Sequence, residues 1–205
     1  MRDKSGVPAE SVVLRSRAEL VRRGLLLEYA TLGWNVVGCG IVLVSAYLAK
    51  SVALAGFGID SVIEIFASVV VVWQLRAINQ DKEHFAERLI GVAFLLLAAY
   101  LAVQSAIVLH ARFHPSTSIS GITWLVLTAA TMFLLACGKG NTGRALGNPV
   151  LLKESKVTVV DGLLAVTVLL GLVLDAAFGW WWADPLAALV IVYYGLREGV
   201  IALRA

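Results

Sequence analysis

One apolar run, residues 52–73, is long enough to cross a bilayer and yet carries two acids near its middle, Asp60 and Glu64. About 20 apolar residues suffice to span a hydrocarbon core of about 30 Å. A carboxylate placed there costs roughly 3 kcal/mol or more. Glu64 follows Asp60 by one helical turn, so on a helix the two share a face and stand about 6 Å apart along the axis. Composition rules out a soluble setting for them: the chain is 60% hydrophobic and 15% charged, with mean hydropathy +0.85. A soluble domain is nearer half apolar and a quarter charged. Two acids on one face inside a membrane need a cation or a proton to neutralise them, and so point to an ion path.

Six runs of membrane-spanning length can be read: 25–49, 52–73, 89–110, 119–137, 157–178 and 184–203. The sequence therefore predicts an all-α membrane protein, a six-transmembrane-helix bundle over residues 25–205 behind a polar tail, residues 1–24. Residues 1–23 have no apolar core and do not read as a cleaved signal peptide; the first span itself directs insertion. No soluble domain is expected after the sixth span. Residues 76–88 and 138–155 read as polar loops, the second rich in Gly, Lys and Arg. Pro185 suits the first turn of a helix, where its missing N–H costs nothing.

Charge sets the expected orientation. Fifteen of the 17 Lys and Arg residues fall in the N-terminal tail, the second-to-third loop, the fourth-to-fifth loop and the C-terminal end; only Lys50 and Arg112 lie on the other side. The positive-inside rule then puts both termini in the cytoplasm of a plasma (inner) membrane protein. The Trp180–Trp182 cluster falls at the outer interface, where indole rings settle. Arg15, Arg17, Arg22 and Arg23 read as topology signals and lipid contacts, so no nucleic acid is expected as a partner. Cys39 and Cys137 lack both metal-type spacing and a disulfide framework.

Depth brings three spans together. At 1.5 Å per residue Asp60 lies about 12 Å and Glu64 about 18 Å below the outer edge, Asp161 about 6–9 Å from the inner edge, and Asn35 about 15 Å deep. Gly56, Asp60, Glu64 and Ser68 form one small, polar stripe; Thr31, Asn35 and Cys39 form another, with Glu28 a turn below; Glu154, Thr158 and Asp161 form a third. These faces are expected to meet, with Glu64 against Asp161 and Asp60 level with Asn35. Simpler roles remain open for some of them. Asn35 can act as helix–helix glue, Cys39 as a small filler, and Glu28 and Glu154 as markers of the cytoplasmic interface. Asp184 can complement the dipole of its own helix.

The pattern Ser51-Val-Ala-Leu followed by Asp60-Ser61-x-x-Glu64 resembles the second span of the cation diffusion facilitator family. Residues 154–161 with Gly162-Leu-Leu resemble its fifth span, and Asp184-Pro185-Leu-Ala-Ala-Leu-Val-Ile the opening of its sixth. The resemblance covers about residues 25–204. It implies a divalent-cation efflux protein, commonly a proton antiporter and a homodimer, whose metal site takes two side chains from the second span and two from the fifth. By position these are Asp60, Glu64 and Asp161, while Val157 stands where the family usually has His. Either one ligand is lost, or Thr158 or Asn35 is recruited. Three carboxylates favour harder ions such as Mn²⁺ over Zn²⁺ within the Zn, Mn, Fe and Co class.

The expected function is proton-coupled antiport of a divalent cation by alternating access, with no cofactor beyond the transported ion. The alternative is a non-transporting scaffold or accessory subunit that keeps the fold. No Gly-rich phosphate loop and no nucleophile with its base can be read, so an enzyme is not expected.

Overall fold

The described residues are all helical. A computed structural model describes the backbone of residues 9–76 and 81–204, and within it the side chains of residues 17–66, 69, 88, 91–148, 151–152 and 154–204. The six helices are α1 (Ala9–Ala49), α2 (Val52–Arg76), α3 (Asp81–Ala111), α4 (Ile119–Leu146), α5 (Pro149–Phe178) and α6 (Ala183–Arg204). Five of them are long and apolar enough to cross a membrane, over Arg17–Ala49, Gly91–Ala111, Ile119–Leu146, Glu154–Phe178 and Ala183–Arg204. The 25 residues of α2 reach about 37 Å at 1.5 Å each, which also suffices.

Polarity is distributed inside out relative to a soluble protein. Val37, Leu96, Leu134 and Tyr193 face outward, whereas Glu28, Asn35, Asp60, Glu64, Lys139, Thr158 and Asp161 are buried. Water-exposed surfaces do not select for this arrangement; a hydrocarbon surround does.

Helix α2 sits at the middle of the packing, against α1, α3, α5 and α6; α4 packs on α1 and α5, and α3 on α6. Small residues permit the close crossings. A Cβ added at Gly91 of α3 would lie 3.0 Å from the Gly199 carbonyl oxygen of α6, and one at Gly171 of α5 would lie 3.1 Å from the Ala183 carbonyl oxygen.

The sequence reading of residues 138–155 as a loop is corrected by the structure. Helix α4 continues to Leu146, and only Gly147 and Asn148 separate it from α5. Gly147, at φ 63°, ends α4, and the Asn148 side chain accepts the Leu151 N–H at 3.2 Å to begin α5. Gly138, Gly140 and Gly143, which resemble loop punctuation, are packing positions: a Cβ on them would press on Leu27, Ser155 and Leu152 respectively. Helices α1, α3 and α5 also begin eight or more residues before their apolar runs, because a chain leaving the apolar layer keeps its backbone bonded by staying helical. Residues 1–8 and 77–80, which include parts of the polar tail and of the second-to-third loop, and the Ser68 side chain of the α2 stripe lie outside the described residues.

The other end of the bundle is tied by side chains. Ser51 caps α2 by accepting the Leu54 N–H at 3.0 Å. Asp184, in the first turn of α6, accepts the hydroxyl of Ser51 and the backbone N–H of Val52 at 2.9 Å. Asp184 was expected to serve the dipole of its own helix; its carboxylate instead completes the N-terminus of α2, where four backbone donors lack helical partners. Trp34 and Trp124 stack at 4.8 Å between α1 and α4, and the Trp34 indole donates to Thr128 Oγ1 at 3.1 Å.

Candidate metal centre

Helices α1, α2 and α5 each turn a polar stripe inward, as the i, i+4 spacing predicts. Asp60 and Glu64 come from the middle of α2, where Ser61 spends its hydroxyl on the Phe57 carbonyl at 3.0 Å and so stays out of the site. Asp161 comes from α5, and its carboxyl lies within hydrogen-bonding reach of Glu64. Two ionised carboxylates have no donor to offer, so this contact needs a shared proton or a bridging cation. Asp60 is 1% exposed, Asp161 4% and Glu64 9%, so water does not screen them.

Each of the three acids keeps one buried oxygen without a partner: Asp60 Oδ1, Glu64 Oε1 and Asp161 Oδ1. An unsatisfied buried acceptor costs about 1–3 kcal/mol, and more if charged. Three on facing helices form a donor set that a cation would satisfy. As placed, no group of three His, Cys, Asp or Glu side chains among the described residues is gathered tightly enough to hold a metal ion.

Asn35 on α1 donates through Nδ2 to Glu64 Oε2 at 3.1 Å. The reading from depth put Asn35 level with Asp60; it meets Glu64 instead. Both helices are counted from the tight turn at Lys50-Ser51, and α1 and α2 run antiparallel from it, so Asn35 and Glu64 lie at nearly equal distances along their helices. Thr158 is buried one turn from Asp161, but its hydroxyl serves the Glu154 carbonyl at 2.8 Å and the Lys139 ammonium at 3.2 Å. Val157, four residues before Asp161, is half-buried and offers no ligand atom.

The residue missed by the sequence reading is Lys139. It was counted among the basic loop residues, yet it is 0% exposed on α4. Its Nζ donates to Glu28 Oε2 at 2.9 Å and lies 3.9 Å from Glu154 Oε2. Glu28, expected to mark an interface, is only 2% exposed and anchors this ion pair. The available signal was the Glu28–Glu154–Thr158 spacing, which needed a cation to match it.

A bundle with apolar outer faces and acids buried at its centre is the transmembrane body of a multi-pass integral membrane protein. Residues 29–204 match the cation efflux transmembrane domain, and the chain belongs to that family. The family expected from the motifs around Asp60, Asp161 and Asp184 is thus the one found. The chain is 25% identical over 180 residues to "Transmembrane protein 163" of Xenopus laevis, covering 80% of this chain and 63% of that protein. It is 25% identical over 173 residues to the "Cadmium, cobalt and zinc/H(+)-K(+) antiporter" of Bacillus subtilis (strain 168), covering 78% of this chain and 54% of that protein. The chain therefore spans less than two thirds of the length of either relative.

Proposed function

We propose that this protein carries divalent metal cations across a membrane in exchange for protons, with Asp60, Glu64 and Asp161 as the cargo site and Asn35 as an adjoining oxygen donor. The observation that carries this reading is the set of three buried, unpartnered carboxylate oxygens on α2 and α5. The family supports a metal cargo, and the antiporter relative supports proton coupling. A proton and a metal ion compete for the same carboxylates, because a ligand must give up its proton to bind metal. That competition couples their opposite movements if the site is open to one side at a time.

Thr158 belongs to the Lys139 cluster and is assigned no part in the primary site. Oxygen donors alone favour Mn²⁺ or a similarly hard ion over Zn²⁺. The charge asymmetry along the chain supports cytoplasmic termini in a plasma (inner) membrane, and metal moves outward in this reading. A homodimer follows from the family resemblance. The protein moves its cargo without covalent chemistry, so it is a carrier and not an enzyme.

The test is metal-driven proton movement in liposomes. Wild-type rates in both Asp60→Asn and Asp161→Asn would sink the reading. The looseness of the acids as placed favours a second reading, a family relative that serves as a scaffold and does not transport. Metal titration of the purified protein separates the two: absence of saturable binding supports the scaffold.

A further inference from the structure

Lys139 is the only buried Lys or Arg among the described side chains. An ammonium withdrawn from water is costly unless oxygens surround it. Here Glu28 Oε2 of α1 at 2.9 Å and Thr158 Oγ1 of α5 at 3.2 Å take two of its three donors, and Glu154 Oε2 stands farther off at 3.9 Å. Two carboxylates and a hydroxyl thus converge on a single positive charge, which leaves one carboxylate charge unmatched. The second oxygen of Glu28 is buried and unpartnered. This oxygen pocket has the composition of a cation site and already holds a cation, the chain's own.

We propose that Glu28, Glu154 and Thr158 form a second binding site for a hard divalent cation, held at rest by the Lys139 ammonium, which the arriving ion displaces. The proposal rests on the reading of the bundle as a metal carrier. A divalent ion balances two carboxylates where the ammonium balances one. The donors are all oxygens, which suit Mn²⁺, Mg²⁺ or Ca²⁺ better than thiophilic ions. Lys139 has somewhere to go. It lies seven residues before the end of α4, about 10 Å from that terminus. Its flexible stem can carry the ammonium toward the C-terminal carbonyls, which favour a cation. Asp161 lies one turn beyond Thr158 on α5 and within electrostatic reach of Lys139, so the pocket adjoins the primary site. An ion leaving the pocket meets the deeper acids next.

Equilibrium dialysis of the full chain in nanodiscs against Mn²⁺ tests the proposal. Lys139→Gln is expected to bind one more ion than wild type at the same Mn²⁺ concentration. The double variant Lys139→Gln/Glu28→Gln returns to the wild-type count, and Lys139→Arg matches wild type throughout. Equal counts for wild type and Lys139→Gln, or a gained ion that survives Glu28→Gln, would overturn the proposal. The double variant Asp60→Asn/Asp161→Asn reports on the deeper site separately. If it binds as wild type does, while Lys139→Gln still gains an ion that Glu28→Gln removes, the primary-site reading fails and the second site stands. If Lys139→Gln does not fold, as judged by helicity and monodispersity, wild type is titrated to millimolar Mn²⁺. A second, weaker ion that Glu28→Gln removes and Asp60→Asn retains is expected; saturation at a single ion overturns the proposal.

Discussion

Asp184 of α6 accepts the backbone N–H of Val52, the first residue of α2, at 2.9 Å. The helix that carries Asp60 and Glu64 is thereby fixed at its start by a residue far along the chain. Asp184→Ala removes that acceptor and leaves a buried helix N-terminus under-satisfied. The expected loss is about 1–3 kcal/mol, read as a lower midpoint of thermal unfolding in detergent by circular dichroism. An unchanged midpoint would show that the contact contributes nothing.

Each acid of the cargo site is expected to matter on its own. Asp60→Asn, Glu64→Gln and Asp161→Asn preserve shape and remove one charge each. Removing a charged ligand is expected to cost at least about 1.4 kcal/mol of cation binding, a tenfold loss of affinity. Isothermal titration with Mn²⁺ measures it, and wild-type affinity in all three variants would count against the site.

Acidification supplies a second measure of the same site. Binding a cation to protonated carboxyls must release protons, so apparent metal affinity falls as pH falls. A metal titration repeated across pH, with proton release followed in weak buffer, checks the sign. Binding that is independent of pH would exclude these carboxyls as the ligands.

Val157 lies one turn before Asp161 on the inner face of α5. Val157→His places an imidazole beside the acids and adds a borderline-soft ligand. Affinity for Zn²⁺ is expected to rise more than affinity for Mn²⁺. Competition between the two ions in one binding assay reads the change, and an unaltered ratio would mean that position 157 does not reach the cargo.

Gly91 and Gly33 should respond oppositely to Ala. At Gly91 the new methyl meets the Gly199 carbonyl oxygen at 3.0 Å, and backbone cannot step aside; a loss of about 1–3 kcal/mol is expected. At Gly33 nothing lies within 4 Å, so Ala should be neutral or stabilise the helix by up to about 1 kcal/mol. Thermal melts of the two variants side by side provide the comparison.

The bundle and the acids of the site were legible in the sequence because both follow from period and depth. Asp60 and Glu64 share a face by their i, i+4 spacing, and counting residues from the Lys50-Ser51 turn places Asp161 near them. The same counting failed by one helical turn for Asn35, since depth estimated from apolar ends carries the uncertainty of those ends. Lys139 was illegible for another reason. A segment holding Gly138, Gly140, Gly143 and several cations looks like a loop on local propensity alone. What makes it helix is the contact each glycine makes with Leu27, Ser155 or Leu152 on neighbouring helices, and those partners lie far away in sequence.

The two-residue link at Gly147 and Asn148 has a mechanical consequence. It makes α4 and α5 a stiff hairpin bearing Lys139, Glu154, Thr158 and Asp161, just as the Lys50-Ser51 turn makes α1 and α2 a hairpin bearing Glu28, Asn35, Asp60 and Glu64. The turns of the two hairpins lie at opposite ends of the bundle. An ion held between Glu64 and Asp161 is therefore gripped by two levers whose pivots face away from each other, and a tilt that widens the seam at one pivot narrows it at the other.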